Sequence, residues 1–268
     1  MDARDDELVK FEAEGALPLP AADQQGFVEH DGAKIWYRAY GSGKPVVMLH
    51  GGLGNSGNWG YQLPALLGGG YRVVLIDSRG HGRSTRDERP YSYDLMASDV
   101  RAILDVLSVP KAAVVGWSDG ACTALILADQ TPDRVAGVYY LACNMDPSGV
   151  KEIVDSPILR RCLKRHMTDY SQLSSTPDQF KAFADSVSLM QRTQPNYTAQ
   201  DLARIRVPVL IAQGENDEFI KPEHARHLAS SIPEARLSIL PGVSHFAPLQ
   251  RPALFNSELL GFLQGLSW

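Results

Sequence analysis

The sequence has few of the features that mark secreted or metal-binding scaffolds. It contains only three cysteines in 268 residues (Cys122, Cys143 and Cys162), and their spacing matches no metal-ligand motif. An odd number of widely spaced cysteines argues against a disulfide scaffold and fits a reducing compartment. We therefore expect a cytoplasmic protein without a metal site.

Basic charge and long apolar runs are also scarce. The 26 lysines and arginines are outnumbered by 31 aspartates and glutamates, for a formal net charge of −5. A nucleic-acid-binding protein would need a basic stripe, and this chain has none. No apolar run reaches the roughly 18 residues of a membrane-spanning helix, and the first seven residues, MDARDDE, are acidic where a signal peptide is basic and then apolar. We expect neither nucleic acid nor a membrane as a partner.

Short apolar segments without alternation recur along the chain, which is typical of parallel strands buried on both faces. Segments with helical periodicity separate them, so the pattern predicts an α/β fold in which helices cover a mostly parallel central sheet of about eight strands. The predicted strands are 27–31, 33–40, 45–49, 72–76, 112–115, 135–141, 207–211 and 236–240, and the predicted helices include 93–107, 121–129, 222–231 and 252–266.

The alternation of strands and helices also predicts the domain organisation. Residues 1–25 are polar or rich in proline and alanine, and we expect a loosely ordered leader there. Residues 146–200 lack a strand signal and contain helix-like pieces at 153–167 and 177–191. Because this insertion separates two core strands, it predicts a small helical cap over one edge of the sheet. The α/β core then comprises residues 26–145 and 201–268.

The pentapeptide Gly116-Trp117-Ser118-Asp119-Gly120 carries the strongest chemical signal. It lies directly after a predicted strand and directly before a predicted helix. A serine hydroxyl is a poor nucleophile unless it is exposed and supplied with a base, and a sharp strand-to-helix turn provides that exposure. The sequence therefore predicts Ser118 as a nucleophile.

A general base and an orienting acid are expected on loops after the last two strands. We predict His245, which follows the last strand, as the base, and Asp217, which follows the strand before it, as the acid. Histidine takes and returns a proton near neutral pH, while a carboxylate fixes its tautomer and stabilises the imidazolium. Three other carboxylates compete for the role of the acid, namely Glu215, Glu218 and Asp146.

An oxyanion-binding loop is predicted at His50-Gly51-Gly52-Leu53-Gly54, after the third strand. Glycines there permit a backbone N–H to point at a developing oxyanion. We predict Gly52, with Leu53 as the alternative, paired with the N–H of Asp119. Loss of one such donor typically reduces turnover by about 10²–10³.

These motifs, in this order, resemble those of the α/β-hydrolase fold superfamily over about residues 27–266. The segment DSRGHGRS at 77–84 also matches the D-x-R-G-x-G-x-S turn of that family. The serine elbow is similar to that of the biphenyl-hydrolase-like branch, which includes valacyclovir-hydrolase-type esterases. In that branch the acid after the nucleophile helps to bind a substrate ammonium group, which implies a substrate role for Asp119. A carboxylate in the first turn of a helix is also favoured by the helix dipole alone.

The resemblance implies a serine hydrolase that cleaves small or medium carboxylic esters through an acyl-enzyme, without a metal or organic cofactor. Lactonase, carbon–carbon hydrolase, aminopeptidase and perhydrolase activities use the same three residues and remain open, as does a non-enzymatic ligand receptor of the same fold. Oligomeric state is open between monomer and homodimer. The residues that we expect to contact substrate are Trp59, Trp117, Asp119 and Met145, although buried aromatics usually fill the core.

Overall fold

A computed structural model of the chain describes residues 7–152 and 154–268. Eight strands form one sheet in the order β1-β2-β4-β3-β5-β6-β7-β8. The strands β1 and β2 form an antiparallel pair, β2 is antiparallel to β4, and every later pairing is parallel. The predicted α/β class is therefore confirmed. The strands are β1 (Gln24–His30), β2 (Ala33–Tyr40), β3 (Lys44–Leu49), β4 (Tyr71–Ile76), β5 (Ala112–Trp117), β6 (Val135–Leu141), β7 (Val209–Gly214) and β8 (Ala235–Leu240).

Helices cover both faces of this sheet. Those that pack on one face include α3, α4 and α8, and those on the other include α2, α9 and α10. The α-helices are α1 (Leu8–Glu14), α2 (Leu63–Gly68), α3 (Tyr93–Val106), α4 (Asp119–Gln130), α5 (Pro157–Leu173), α6 (Phe180–Thr193), α7 (Ala199–Leu202), α8 (Pro222–Ser231), α9 (Ala247–Gln250) and α10 (Pro252–Gln264).

The central strand β5 shows why the apolar runs lack alternation. Ala112 and Val114 belong to the core on one face of the sheet, whereas Ala113 and Val115 belong to the core on the other face. Since both faces are covered by helices, every position of the strand is apolar. The strand ends at Trp117, directly before the candidate nucleophile Ser118.

Three helices, α5, α6 and α7, lie in the segment between β6 and β7. Helix α5 begins at Pro157, so the helix expected at 153–167 begins later, and Ile153 lies outside the described residues. Helix α6 packs into the core beside α3 and α4 through its buried residues Phe183, Val187 and Met190. That these helices form a cap over one edge of the sheet stays a prediction.

The expectation of a loosely ordered leader over 1–25 needs correction. Residues 1–6 lie outside the described residues, but helix α1 buries Leu8 and Phe11 completely, both at 0% exposure. Phe11 makes an edge-to-face contact with His166 of α5. The two apolar residues, three positions apart, share one helix face that docks on the rest of the protein.

Among the helices of residues 7–152 and 154–268, none combines the length and apolar character needed to cross a bilayer.

Candidate active site

Ser118 occupies the turn between β5 and α4 in a strained backbone conformation, with φ 54° and ψ −122°. Residues that have a Cβ rarely adopt a backbone conformation with positive φ, and such strain is concentrated at functional sites. The Ser118 N–H donates to the carbonyl of Leu141 at 2.8 Å, which anchors the turn to β6. Trp117 and Asp119 are buried, whereas Ser118 between them is partly exposed. The turn therefore presents the hydroxyl at the carboxyl edge of the sheet.

Two glycines make this turn possible. A Cβ on Gly120 would lie 2.2 Å from the carbonyl oxygen of Leu49, and one on Gly116 would lie 2.3 Å from the carbonyl oxygen of Gly120. Neither contact is sterically tolerable. The small residues predicted from the pentapeptide are therefore required by the close approach of the elbow to its neighbours.

His245 and Asp217 meet at the same edge of the sheet. His245 Nδ1 lies 3.0 Å from Asp217 Oδ2, and Asp217 Oδ1 accepts hydrogen bonds from the N–H groups of Phe219 and Ile220, both at 2.8 Å. These contacts fix the carboxylate and direct His245 Nε2 away from it.

The backbone of His245 is tied to the serine elbow. Trp117 Nε1 donates to the His245 carbonyl at 2.9 Å. Among the described residues, no hydrogen bond joins Ser118 Oγ to His245 Nε2; such bonds are often long before substrate binds. The structure thus brings Ser118, Asp217 and His245 into one neighbourhood, with the acid–histidine bond already formed.

Carboxylates surround the imidazole of His245. Burial lowers the pKa of this histidine, but the carboxylate of Asp217 raises it, with smaller contributions from Glu218 and Asp119, and the net direction is upward. A raised pKa makes His245 a stronger proton acceptor, which suits a general base.

The competing acids have other partners. Glu215 accepts from the N–H of Gly242 at 2.8 Å, and Glu218 accepts from the N–H of His245 at 3.0 Å. Asp146 accepts from the N–H of Ser148 at the start of the cap segment. Only Asp217, of the four candidates, hydrogen-bonds the imidazole ring.

The loop after β3 is locked beside the serine. The Gly51 carbonyl accepts hydrogen bonds from His50 Nδ1 at 2.8 Å and from the N–H of Gly54 at 3.1 Å. Because the carbonyl of one residue and the N–H of the next point in opposite directions across a planar trans peptide, this lock also sets the direction of the Gly52 N–H. His50 Nε2 accepts from the N–H of Ser78, so both ring nitrogens are used.

Three backbone N–H groups near Ser118 are unoccupied. Within the described residues, nothing accepts a hydrogen bond from the N–H of Gly52, Leu53 or Asp119. A Cβ on Gly51 would lie 3.2 Å from the Cβ of Ser118, so the loop touches the nucleophile. Leu53 has φ 63°, which turns the chain at the loop tip. These are the groups predicted to bind an oxyanion.

Asp119 has a more specific environment than its sequence position suggested. Its carboxylate is 5% exposed and accepts from Tyr93 OH at 2.9 Å and from Gln191 Nε2 at 3.0 and 3.1 Å. Burial raises the pKa of Asp119 to about 6, against the hydrogen bonds from Tyr93 and Gln191. A Cβ on Gly52 would lie 2.5 Å from Asp119 Oδ2, so the carboxylate borders the candidate oxyanion loop.

Sequence reasoning did not find Tyr93 or Gln191. Gln191 lies in a predicted cap helix, where a polar side chain is ordinary, and Tyr93 opens helix α3. The sequence carries no local signal for either contact.

The three other residues expected to contact substrate lie deep in the core. Trp59, Trp117 and Met145 are 0%, 2% and 0% exposed. Trp59 packs edge-to-face on Trp117 with ring centroids 6.2 Å apart. This burial favours the core-filling alternative for Trp59 and Met145, whereas Trp117 supports the elbow through its bond to His245.

Within residues 7–152 and 154–268, no group of three histidine, cysteine or acidic side chains is arranged to hold a metal ion. A cavity of about 390 Å³ is lined by the segment that follows α6, and one of about 730 Å³ lies beside α6. Neither is lined by Ser118, Asp217 or His245.

The chain is similar to known proteins in both sequence and structure. The model of the alpha/beta hydrolase family matches residues 46–258. A non-heme haloperoxidase from Rhodococcus erythropolis is 27% identical over 87% of this chain and 97% of its own length. A 2-hydroxy-6-oxononadienedioate/2-hydroxy-6-oxononatrienedioate hydrolase from Pseudomonas putida is 29% identical over 86% of this chain and 92% of its own.

Among solved structures, Est816, described as an N-acyl homoserine lactone degrading enzyme, is similar with a TM-score of 0.71 and 30% identity, over 88% of this chain and 100% of that one. The family model covers most of the chain, and these relatives are matched along nearly their whole lengths. This chain belongs to the alpha/beta hydrolase family.

Proposed function

We propose that this hydrolase cleaves carboxylic esters by two-step acyl transfer at Ser118. One arrangement carries the proposal. The bonded pair His245–Asp217 is tied to the serine elbow through Trp117, and the N–H groups of Gly52, Leu53 and Asp119, which have no acceptor among the described residues, lie next to Ser118. A base and an oxyanion site near one serine are the parts that ester hydrolysis requires.

In the first step His245 removes the proton of Ser118 as the hydroxyl attacks the ester carbonyl. Asp217 holds the imidazole and stabilises the imidazolium. The N–H groups of Gly52 (or Leu53) and Asp119 stabilise the tetrahedral oxyanion. The histidine then protonates the leaving alcohol, and water repeats the sequence on the acyl-enzyme.

Lactone hydrolysis is the second candidate, and it uses the same chemistry because a lactone is a cyclic ester. The 30% identity to an enzyme described as degrading N-acyl homoserine lactone favours it. The leaving alcohol then stays attached to the acyl group, so the cap must accommodate one ring rather than two separable parts. A small-molecule substrate is expected in both cases.

Asp119 is proposed as a residue that contacts substrate and prefers a cationic group there, as the resemblance of the serine elbow to the biphenyl-hydrolase-like branch implies. In the structure the Gln191 amide occupies this carboxylate, so a substrate ammonium would replace a neutral donor with a charged one. The test compares amino-acid esters with their des-amino analogues on the parent and on Asp119→Asn. Equal discrimination in both proteins removes this role.

The proposed function is tested by intact-mass analysis after treatment with a fluorophosphonate, which modifies activated serines. We expect one adduct on the parent and none on Ser118→Ala, followed by turnover of simple esters and of lactones. A folded parent that is neither labelled nor active on any ester would overturn the proposal and favour a ligand receptor of the same fold.

A further inference from the structure

Three carboxylates on the loop after β7 contact the loop that carries His245. Asp217 binds the imidazole, Glu215 binds the N–H of Gly242, and Glu218 binds the N–H of His245 itself. Glu215 is exposed, whereas Glu218 is partly buried. A single short loop therefore fixes both the ring and the backbone of the candidate base.

Glu218 differs from Glu215 in where its charge acts. Its Oε2 lies 3.0 Å from the backbone nitrogen of His245. His245 is buried, with 4% of its surface exposed. Charges in such surroundings interact more strongly than the water-screened charge of an exposed side chain. The charge of Glu218 therefore raises the pKa of His245, as the charge of Asp217 does more strongly.

Other charged and titratable groups of the described residues act on this pair. Asp119 of α4 also favours the charged form of His245. Burial and, after it, the charge of Glu218 raise the pKa of Cys162 in α5. Lys151 Nζ donates to the Asp217 carbonyl at 2.6 Å. The lysine binds a backbone oxygen, so it leaves both carboxylates available to the histidine.

We propose that Glu218 is a second acidic positioning residue, which holds the backbone of His245 and supplies negative charge that stabilises its imidazolium. The proposal rests on the proposed function for its role in turnover, since the imidazolium forms only when His245 acts as the base. It assigns a task to a carboxylate that the Ser118–His245–Asp217 mechanism does not use.

The decisive variant is Glu218→Gln, which keeps an acceptor oxygen for the His245 N–H and removes the charge. We expect the pKa of His245, read by NMR from its imidazole signals, to fall by about 0.5–1 unit. The signals are assigned by their loss in His245→Ala. The acidic limb of the pH profile of kcat/KM should move to lower pH by the same amount, because His245 must be neutral to act.

Glu215→Gln is the matched control, since it removes the same charge from the same loop at an exposed position. We expect it to leave the pKa of His245 within about 0.2 units of the parent. Glu218→Ala removes the hydrogen bond as well, and should add a loss of kcat to the same pKa change.

An unchanged pKa in Glu218→Gln overturns the proposal, as does an equal shift in Glu215→Gln, which would reveal a general charge effect. The NMR titration needs no turnover. If the parent hydrolyses no ester, the proposed function fails, while the charge contribution of Glu218 is still measured.

Discussion

Gln191 Nε2 lies 3.0 Å from Asp119 Oδ2 and 3.1 Å from Asp119 Oδ1, so helix α6 is hydrogen-bonded to the residue after the candidate nucleophile. A Cβ on Gly52 would lie 2.6 Å from the same Gln191 nitrogen. The amide therefore lies where helix α6, the serine elbow and the candidate oxyanion loop meet. Any change in the charge of Asp119 alters the contact that joins α6 to the serine elbow.

Gln191→Glu should destabilise the protein in a pH-dependent way. Two carboxylates would then share one partly buried site, and they resist ionising together. We expect the free energy of unfolding, measured with urea, to fall by about 1–3 kcal/mol at pH 8 and by less at pH 5. Thr193→Glu adds the same charge at an exposed position of α6, and a similar pH-dependent loss in that control would contradict the interpretation.

Asp119→Asn should change how stability depends on pH. The pKa of Asp119 is raised from 3.8 to about 6 in the folded protein, so the folded state binds this proton more tightly than the unfolded state. As pH rises from about 4 through 6, the free energy of unfolding of the parent should therefore fall relative to that of Asp119→Asn, by about 3 kcal/mol. Above this range the difference should stay constant. Urea unfolding of both proteins across this range measures the difference, and parallel curves would refute it.

His50→Ala should impair catalysis through the oxyanion loop. Without the bond from His50 Nδ1, the Gly51 carbonyl keeps only the Gly54 N–H, and the peptide that carries the Gly52 N–H is freer to turn. We expect kcat for an ester to fall by up to about 10²–10³. His50→Asn offers an amide N–H at similar reach and should recover part of the loss. A folded His50→Ala with the kcat of the parent would show that the lock is dispensable.

Two glycine substitutions should act in opposite directions. Gly120→Ala places a Cβ 2.2 Å from the Leu49 carbonyl oxygen, so we expect it to lower the free energy of unfolding by about 1–3 kcal/mol. Gly261 lies inside α10 with nothing within 4 Å of its added Cβ. Gly261→Ala should raise stability by about 0.5–1 kcal/mol. Equal effects would show that the close packing of the elbow is unimportant.

Local sequence patterns were sufficient for the order and type of the core elements. Continuous apolar runs predicted strands such as β5. Both faces of each parallel strand are buried, so nearly every residue of the strand is apolar. The serine elbow was equally local, since strand, turn and helix are adjacent in the chain. The expectation for the leader failed because the docking of Leu8 and Phe11 depends on a distant helix face.

The sequence by itself determined that this is an α/β protein with a serine at a strand-to-helix turn and an acid and a histidine on later loops. Only the tertiary structure decided which carboxylate meets the imidazole, and that Gln191, 72 residues away along the chain, binds Asp119. The sequence predicted Asp217 from its place after β7, but Glu218 is adjacent and chemically alike, so the contact itself could be read only from the structure. Their different partners depend on how the loops after β7 and β8 pack together, and long-range contacts of this kind leave no periodic pattern in the chain.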